Sequence, residues 1–117
     1  MSLAADLSRF PPIVSFDEQL GVLRVTGDED RTTSGRRRRP FSAAFKATRD
    51  VIVDLSELRF ADSSLMIDLA CLAQRLRAQG VMLWLAHPQP NIRMLIETVG
   101  LHRMPAVRIE GGQPAIA

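Results

Sequence analysis

Val51-Ile52-Val53-Asp54-Leu55-Ser56-Glu57-Leu58-Arg59-Phe60-Ala61-Asp62-Ser63-Ser64 runs from an apolar segment through a polar loop into the start of a helix. The run over 51–55 combines β-branched residues with leucine, which is the composition of a buried strand, central in its sheet and parallel to a neighbour. The stretch over 62–79 carries the clearest helical pattern in the chain. Leu65, Leu69, Leu72 and Leu76 follow an i, i+4, i+7, i+11 spacing, and Met66 and Ala73 widen the stripe. Asp62 suits the N-cap of this helix and Gly80 the residue just past its end.

Downstream, 81–86 reads as a second buried strand and contains the single tryptophan, Trp84. Pro88 and Pro90 break the chain. Pro90 fits the first turn of a helix over 91–99 that carries Ile92, Leu95, Ile96 and Val99 on one face and stops at Gly100. A last strand is expected over 106–109 and a frayed tail over 111–117. Upstream, 1–12 reads as a lead-in ending in Pro11-Pro12. Strands over 13–16 and 22–25, joined by a turn over 17–21, make a hairpin. The stretch over 28–40 is polar, contains Gly35 and ends at Pro40, which predicts a flexible basic loop followed by a short helix over 41–48. Strand–helix–strand units of this length need right-handed crossovers. The expected fold is α/β, a single domain over 13–110, with a mixed, mostly parallel sheet opened by an N-terminal hairpin and helices packed against it.

The composition agrees with one domain: 117 residues, 46% hydrophobic and 24% charged. No apolar run approaches the roughly 20 residues that span a membrane, and 1–10 lacks the pattern of a secretory signal. Membrane insertion is not expected and a cytoplasmic location is. The lone Cys71 excludes an internal disulfide and a cysteine-based zinc site; its mid-helix place predicts a buried small hydrophobe. The net charge is only +2, and the basic excess resides in Arg36, Arg37, Arg38 and Arg39. That run has no interleaved aromatics, so it reads as a solvated loop or an electrostatic docking aid, not as a nucleic-acid-binding element. No phosphate-cradling glycine loop, metal-ligand cluster or nucleophile–base pair points to an enzyme.

Asp62-Ser63-Ser64 is the most informative site. A helix start exposes unpaired N–H groups with partial positive charge, a place that tolerates a phosphate, although Asp and Ser there are also the ordinary capping residues. The stretch over 51–64 resembles the signature of the STAS domain, nearest to the bacterial anti-sigma factor antagonists: an apolar strand ending in Asp-Leu, a short loop, then Asp-Ser-Ser opening a helix. Gly27-Asp28-Glu29-Asp30 resembles the family's Gly-Glu-Leu-Asp turn. The stretches over 75–80 and 88–101 resemble the end of its middle helix and its last helix. The resemblance implies a non-catalytic module without a cofactor. It implies that an anti-sigma factor with serine kinase activity binds the unphosphorylated form and phosphorylates Ser63, and that a phosphatase resets the switch. It places Asp30, Asp62, Ser63, Ser64 and Leu65 on the partner-binding face. Two departures stand out: Leu65 occupies the usual glycine position, and 30–51 lacks the usual amphipathic helix. The same family includes accessory subunits of ABC-type lipid transporters, which brace an ATPase or permease without phosphorylation, and this is the alternative reading.

Overall fold

Asp17 and Gly21 set the opening turn. The Asp17 carboxylate accepts the N–H groups of Gln19 and Leu20 at 2.9 and 3.0 Å. Gly21 has φ 69°, and a Cβ there would lie 2.9 Å from the Asp50 carbonyl oxygen, so only glycine fits. The turn joins β1 (Val14–Asp17) to β2 (Val22–Val25) as an antiparallel hairpin, with Val14 opposite Val25. The computed structural model describes residues 14–111. The expected lead-in over 1–12, the first residue of the opening strand and the tail from 112 onward lie outside the described residues.

β4 (Val51–Asp54) is the central strand, parallel to β2 on one side and to β6 (Leu83–Ala86) on the other. β7 (Val107–Glu110) continues the parallel set at the far edge, giving the order β1-β2-β4-β6-β7. Alternate residues of the inner strands, Leu23, Val53 and Leu85 among them, are fully buried in one core with the helices. The helices are α1 (Ser34–Phe45), α2 (Ser63–Ala78) and α3 (Pro90–Val99). All four leucines of the α2 stripe are fully buried. Asp62 caps α2, and α3 ends at Gly100 with φ 81°. Over the described residues the fold is a mixed, mostly parallel α/β arrangement with three α-helices.

Three expectations need correction. The basic stretch is not a loop: a 3-10 turn (Arg31–Thr33) leads into α1, which contains Gly35, the arginines and Pro40, and stops at Phe45. Proline inside a helix costs about 3 kcal/mol. The burial of Phe41 and Ala44 along one face offsets that cost. Second, β3 (Gly27–Glu29) and β5 (Leu58–Ala61) form a separate two-stranded parallel sheet where a turn and a loop were expected. These strands are short, and their pairing is non-local. Third, Cys71 is exposed. It sits one residue, about 100° of helix rotation, from the buried Leu72, on the uncovered flank of α2.

Candidate functional site

The small β3–β5 sheet builds the site. The Asp62 N–H donates to the Glu29 carbonyl at 3.1 Å, which sets the end of β5 beside the end of β3. Asp30 and Asp62, far apart in sequence, therefore become neighbours.

Each aspartate caps the element that follows it. Asp62 accepts the Ser64 N–H at 2.8 Å and the Ser64 hydroxyl, and its other oxygen accepts the Arg31 N–H at 3.1 Å. It thus caps α2 and ties down the 3-10 turn at the same time. The Ser64 hydroxyl, helped by these N–H groups and the Arg37 guanidinium, holds the Asp62 carboxyl below the ordinary aspartate range despite partial desolvation. Asp30 accepts the N–H groups of Thr32 and Thr33 at 2.8 and 3.2 Å and the Thr32 hydroxyl at 2.6 Å, and its own N–H donates to Thr33 Oγ1 at 2.9 Å. The Thr32 hydroxyl is the leading cause of a lowered Asp30 pKa. Desolvation and the nearby charge of Asp62 oppose it without reversing it.

Ser63 is the first residue of α2 and is exposed; its hydroxyl has no hydrogen-bond partner among the described residues. Ser64 is half-buried. Leu65, expected on the partner-facing surface, is fully buried in the core. Its side chain continues the apolar stripe inward and does not reach that surface.

Arg37 is the functional candidate that sequence reading missed, because the arginine run looked like solvated surface. Its side chain is buried. Nη1 donates to Glu29 Oε1 at 3.0 Å, to the Asp30 carbonyl at 3.1 Å and to Thr33 Oγ1 at 3.3 Å; Nε donates to Asp68 Oδ2 at 2.8 Å; Nη2 reaches Ser64 Oγ at 3.3 Å. Glu29 is also fully buried and accepts further from Thr33 Oγ1 at 2.9 Å and from Arg36 Nη2 at 3.3 Å. The spacing held the signal: Arg37 lies four residues before Phe41 and seven before Ala44, on the same buried helix face. Arg38 and Arg39 are exposed.

On the other side of Ser63 lies a shallow groove of about 170 Å³ between α2 and the end of α3, lined by Ser63, Met66, Ile67, Ala70, Val99 and Met104. Ile67 and Val99, both lining it, are 61% and 46% exposed. No group of metal-ligating side chains occurs among the described residues, and none of their helices is long and apolar enough to cross a membrane. The site therefore offers one free hydroxyl at a helix start, an acidic rim of Asp30 and Asp62, and an apolar groove.

No curated protein matches the chain. Among solved structures, the anti-sigma factor antagonist SpoIIAA in its unphosphorylated form aligns with a TM-score of 0.62 at 25% identity, over 75% of this chain and 76% of that one. The Bacillus cell fate determinant SpoIIAA in the phosphorylated form aligns with a TM-score of 0.57 at 25% identity, over 75% and 79%. An anti-sigma-factor antagonist (STAS) domain protein from Planctomyces limnophilus shares the fold, with a TM-score of 0.60 at 17% identity over 87% and 92%. The family model of the STAS domain matches residues 11–110. With that match over most of its length and with this sheet order, the chain belongs to the STAS domain family.

Proposed function

We propose that this protein is a non-catalytic, phosphorylation-switched binding module of the cytoplasm, an anti-sigma factor antagonist. Its partner is an anti-sigma factor with serine kinase activity, its phosphate acceptor is Ser63, and a phosphatase restores the unmodified form. The module spans 13–110. The observation that carries this reading is the state of Ser63: exposed, unengaged and set between the Asp30–Asp62 rim and the apolar groove. Asp30, Asp62, Ser63 and Ser64 form the partner-facing surface, and Leu65 supports it from beneath. The likeness to SpoIIAA, recorded in both unphosphorylated and phosphorylated forms, supports the same reading.

A phosphate on Ser63 would add about −1.5 to −2 charge beside two carboxylates that already carry their full negative charge at neutral pH. A partner that seats apolar side chains in the groove must strip water from this region, and desolvating a dianion without a paired cation is costly. The unmodified form therefore binds and the phosphorylated form releases.

The test compares wild type, Ser63→Ala and Ser63→Glu in pull-downs from the source organism, read by mass spectrometry. The reading requires a kinase-type ATPase on the wild type and Ser63→Ala but not on Ser63→Glu. Equal recovery of an ABC ATPase or permease by all three would replace it with the transporter-subunit reading.

A further inference from the structure

Two serines follow Asp62, and their hydroxyls stand in different surroundings. Ser63 Oγ is open to solvent. Ser64 is half-buried; its hydroxyl donates to the Asp62 carboxylate, and its oxygen accepts from Arg37 Nη2 at 3.3 Å. A hydroxyl has one proton to donate and two lone pairs. At Ser64 the proton is already engaged by Asp62, and Arg37 occupies a lone pair of the oxygen that would have to attack phosphorus.

Building on the reading of Ser63 as phosphate acceptor, we infer that Arg37 is a positioning residue that confines phosphorylation to Ser63 by engaging the neighbouring Ser64. Arg37 is suited to this because its own orientation is fixed. The guanidinium is buried and held by Glu29, by Asp68 on the second turn of α2, and by the Asp30 carbonyl. Its planar fork reaches three separate elements at once: β3, the 3-10 turn and α2. The same contacts hold the start of α2 in register with the Asp30 turn.

In the transfer, Ser63 Oγ forms a bond to the γ-phosphorus of ATP held by the kinase. The bond from that phosphorus to the bridging oxygen breaks, ADP leaves with the electron pair, and the hydroxyl proton passes to a base on the kinase. The same reaction at Ser64 would first have to break its bonds to Asp62 and Arg37.

The experiment incubates the full chain and an Arg37→Lys variant with ATP and soluble extract of the source organism, and maps phosphate to individual serines by mass spectrometry. Lysine keeps a positive charge for Glu29 but lacks the fork that also reaches Ser64. Wild type is expected to carry phosphate on Ser63, and the variant's Ser64-to-Ser63 ratio is expected to rise about tenfold. If Arg37→Lys does not fold, a Glu29→Leu, Arg37→Leu double variant removes the grip on Ser64 without leaving a buried lone charge, and the same rise is expected. A purely structural role would lower phosphorylation of both serines in parallel. An unchanged ratio in a folded variant, or phosphate on Ser64 of the wild type, overturns the inference. No phosphate on either serine of the wild type overturns the acceptor reading itself and the inference with it.

Discussion

Arg37 Nη1 lies 3.0 Å from Glu29 Oε1, and both side chains are almost wholly excluded from solvent. Charges removed from water are retained only when paired and hydrogen-bonded. Here Thr33, Asp68, Ser64 and the Asp30 carbonyl, all around the acceptor loop, are joined by Arg36, which reaches Glu29 from α1. The pair does for β3 and α1 what an apolar contact would do elsewhere, and it adds a direction to the contact.

Breaking this pair from one side should be costly. Glu29→Ala leaves the buried Arg37 with only the partly exposed Asp68, and Arg37→Ala leaves the buried Glu29 with only the partly exposed Arg36, so each is expected to lower stability by up to about 3–5 kcal/mol. Glu29→Leu combined with Arg37→Leu should recover most of that loss, since well-packed apolar replacements of buried pairs are often neutral. Urea denaturation of the two single variants and the double variant forms the cycle. Additive losses would show that the two charges do not depend on each other.

Acid should destabilise the fold through its hydrogen-bonded aspartates. Asp30, Asp62 and Asp50 all have pKa values below the ordinary aspartate value of 3.8 in the folded protein. For Asp50 the cause is the Met82 N–H, followed by the Trp84 indole N–H at 3.1 Å. A depressed folded pKa means the unfolded chain binds protons first, so the stabilisation is complete above the unfolded value and is lost as pH falls through the folded one. Thermal midpoints should be flat from neutral pH to about 5 and fall steeply below about 4. Asp62→Asn should have a shallower acid limb, measured by circular dichroism melts across that range.

Removing the Asp62 cap should act locally. Asp62→Ala is expected to cost about 1–2 kcal/mol and to speed hydrogen exchange at the Ser64 and Arg31 amides, which lose their acceptor. Core amides such as that of Val53 should change only as far as global stability does. Uniform acceleration across the chain would mean that the cap carries no special local role.

The groove offers a test of binding separate from the serine. Ile67→Asp places a charge on an exposed position and should leave the thermal midpoint within about 2 °C of wild type. It should weaken partner capture at least tenfold, because it introduces an unpaired charge into a surface that must be dried. Full-strength capture by this variant would remove the groove from the docking face.

Cys71 supplies a simple chemical check on the orientation of α2. An exposed thiol reacts with Ellman's reagent in the native protein. Full labelling without denaturant is expected, whereas labelling only after unfolding would require α2 to be rotated about its axis.

Elements with local signals are legible in the residues themselves. The run over 51–55 reads as a buried strand and forms one over Val51–Asp54, the leucine spacing from Leu65 to Leu76 marks one helix face, and Asp62 and Gly100 mark helix ends by their own chemistry. Ser63, Asp62 and Asp30 were singled out through resemblance to a family motif. Three features exist only once the chain is assembled. Assembly decided that Gly27–Glu29 and Leu58–Ala61 pair, because a ladder between short segments depends on residues distant in sequence. It decided that Cys71 faces the solvent, because only the packing around α2 selects which flank beside the leucine stripe is covered. And it decided that one arginine of four turns inward, because a guanidinium can be buried only where Glu29, Asp68 and Ser64 converge upon it, and that convergence exists only once β3, α1 and α2 are assembled.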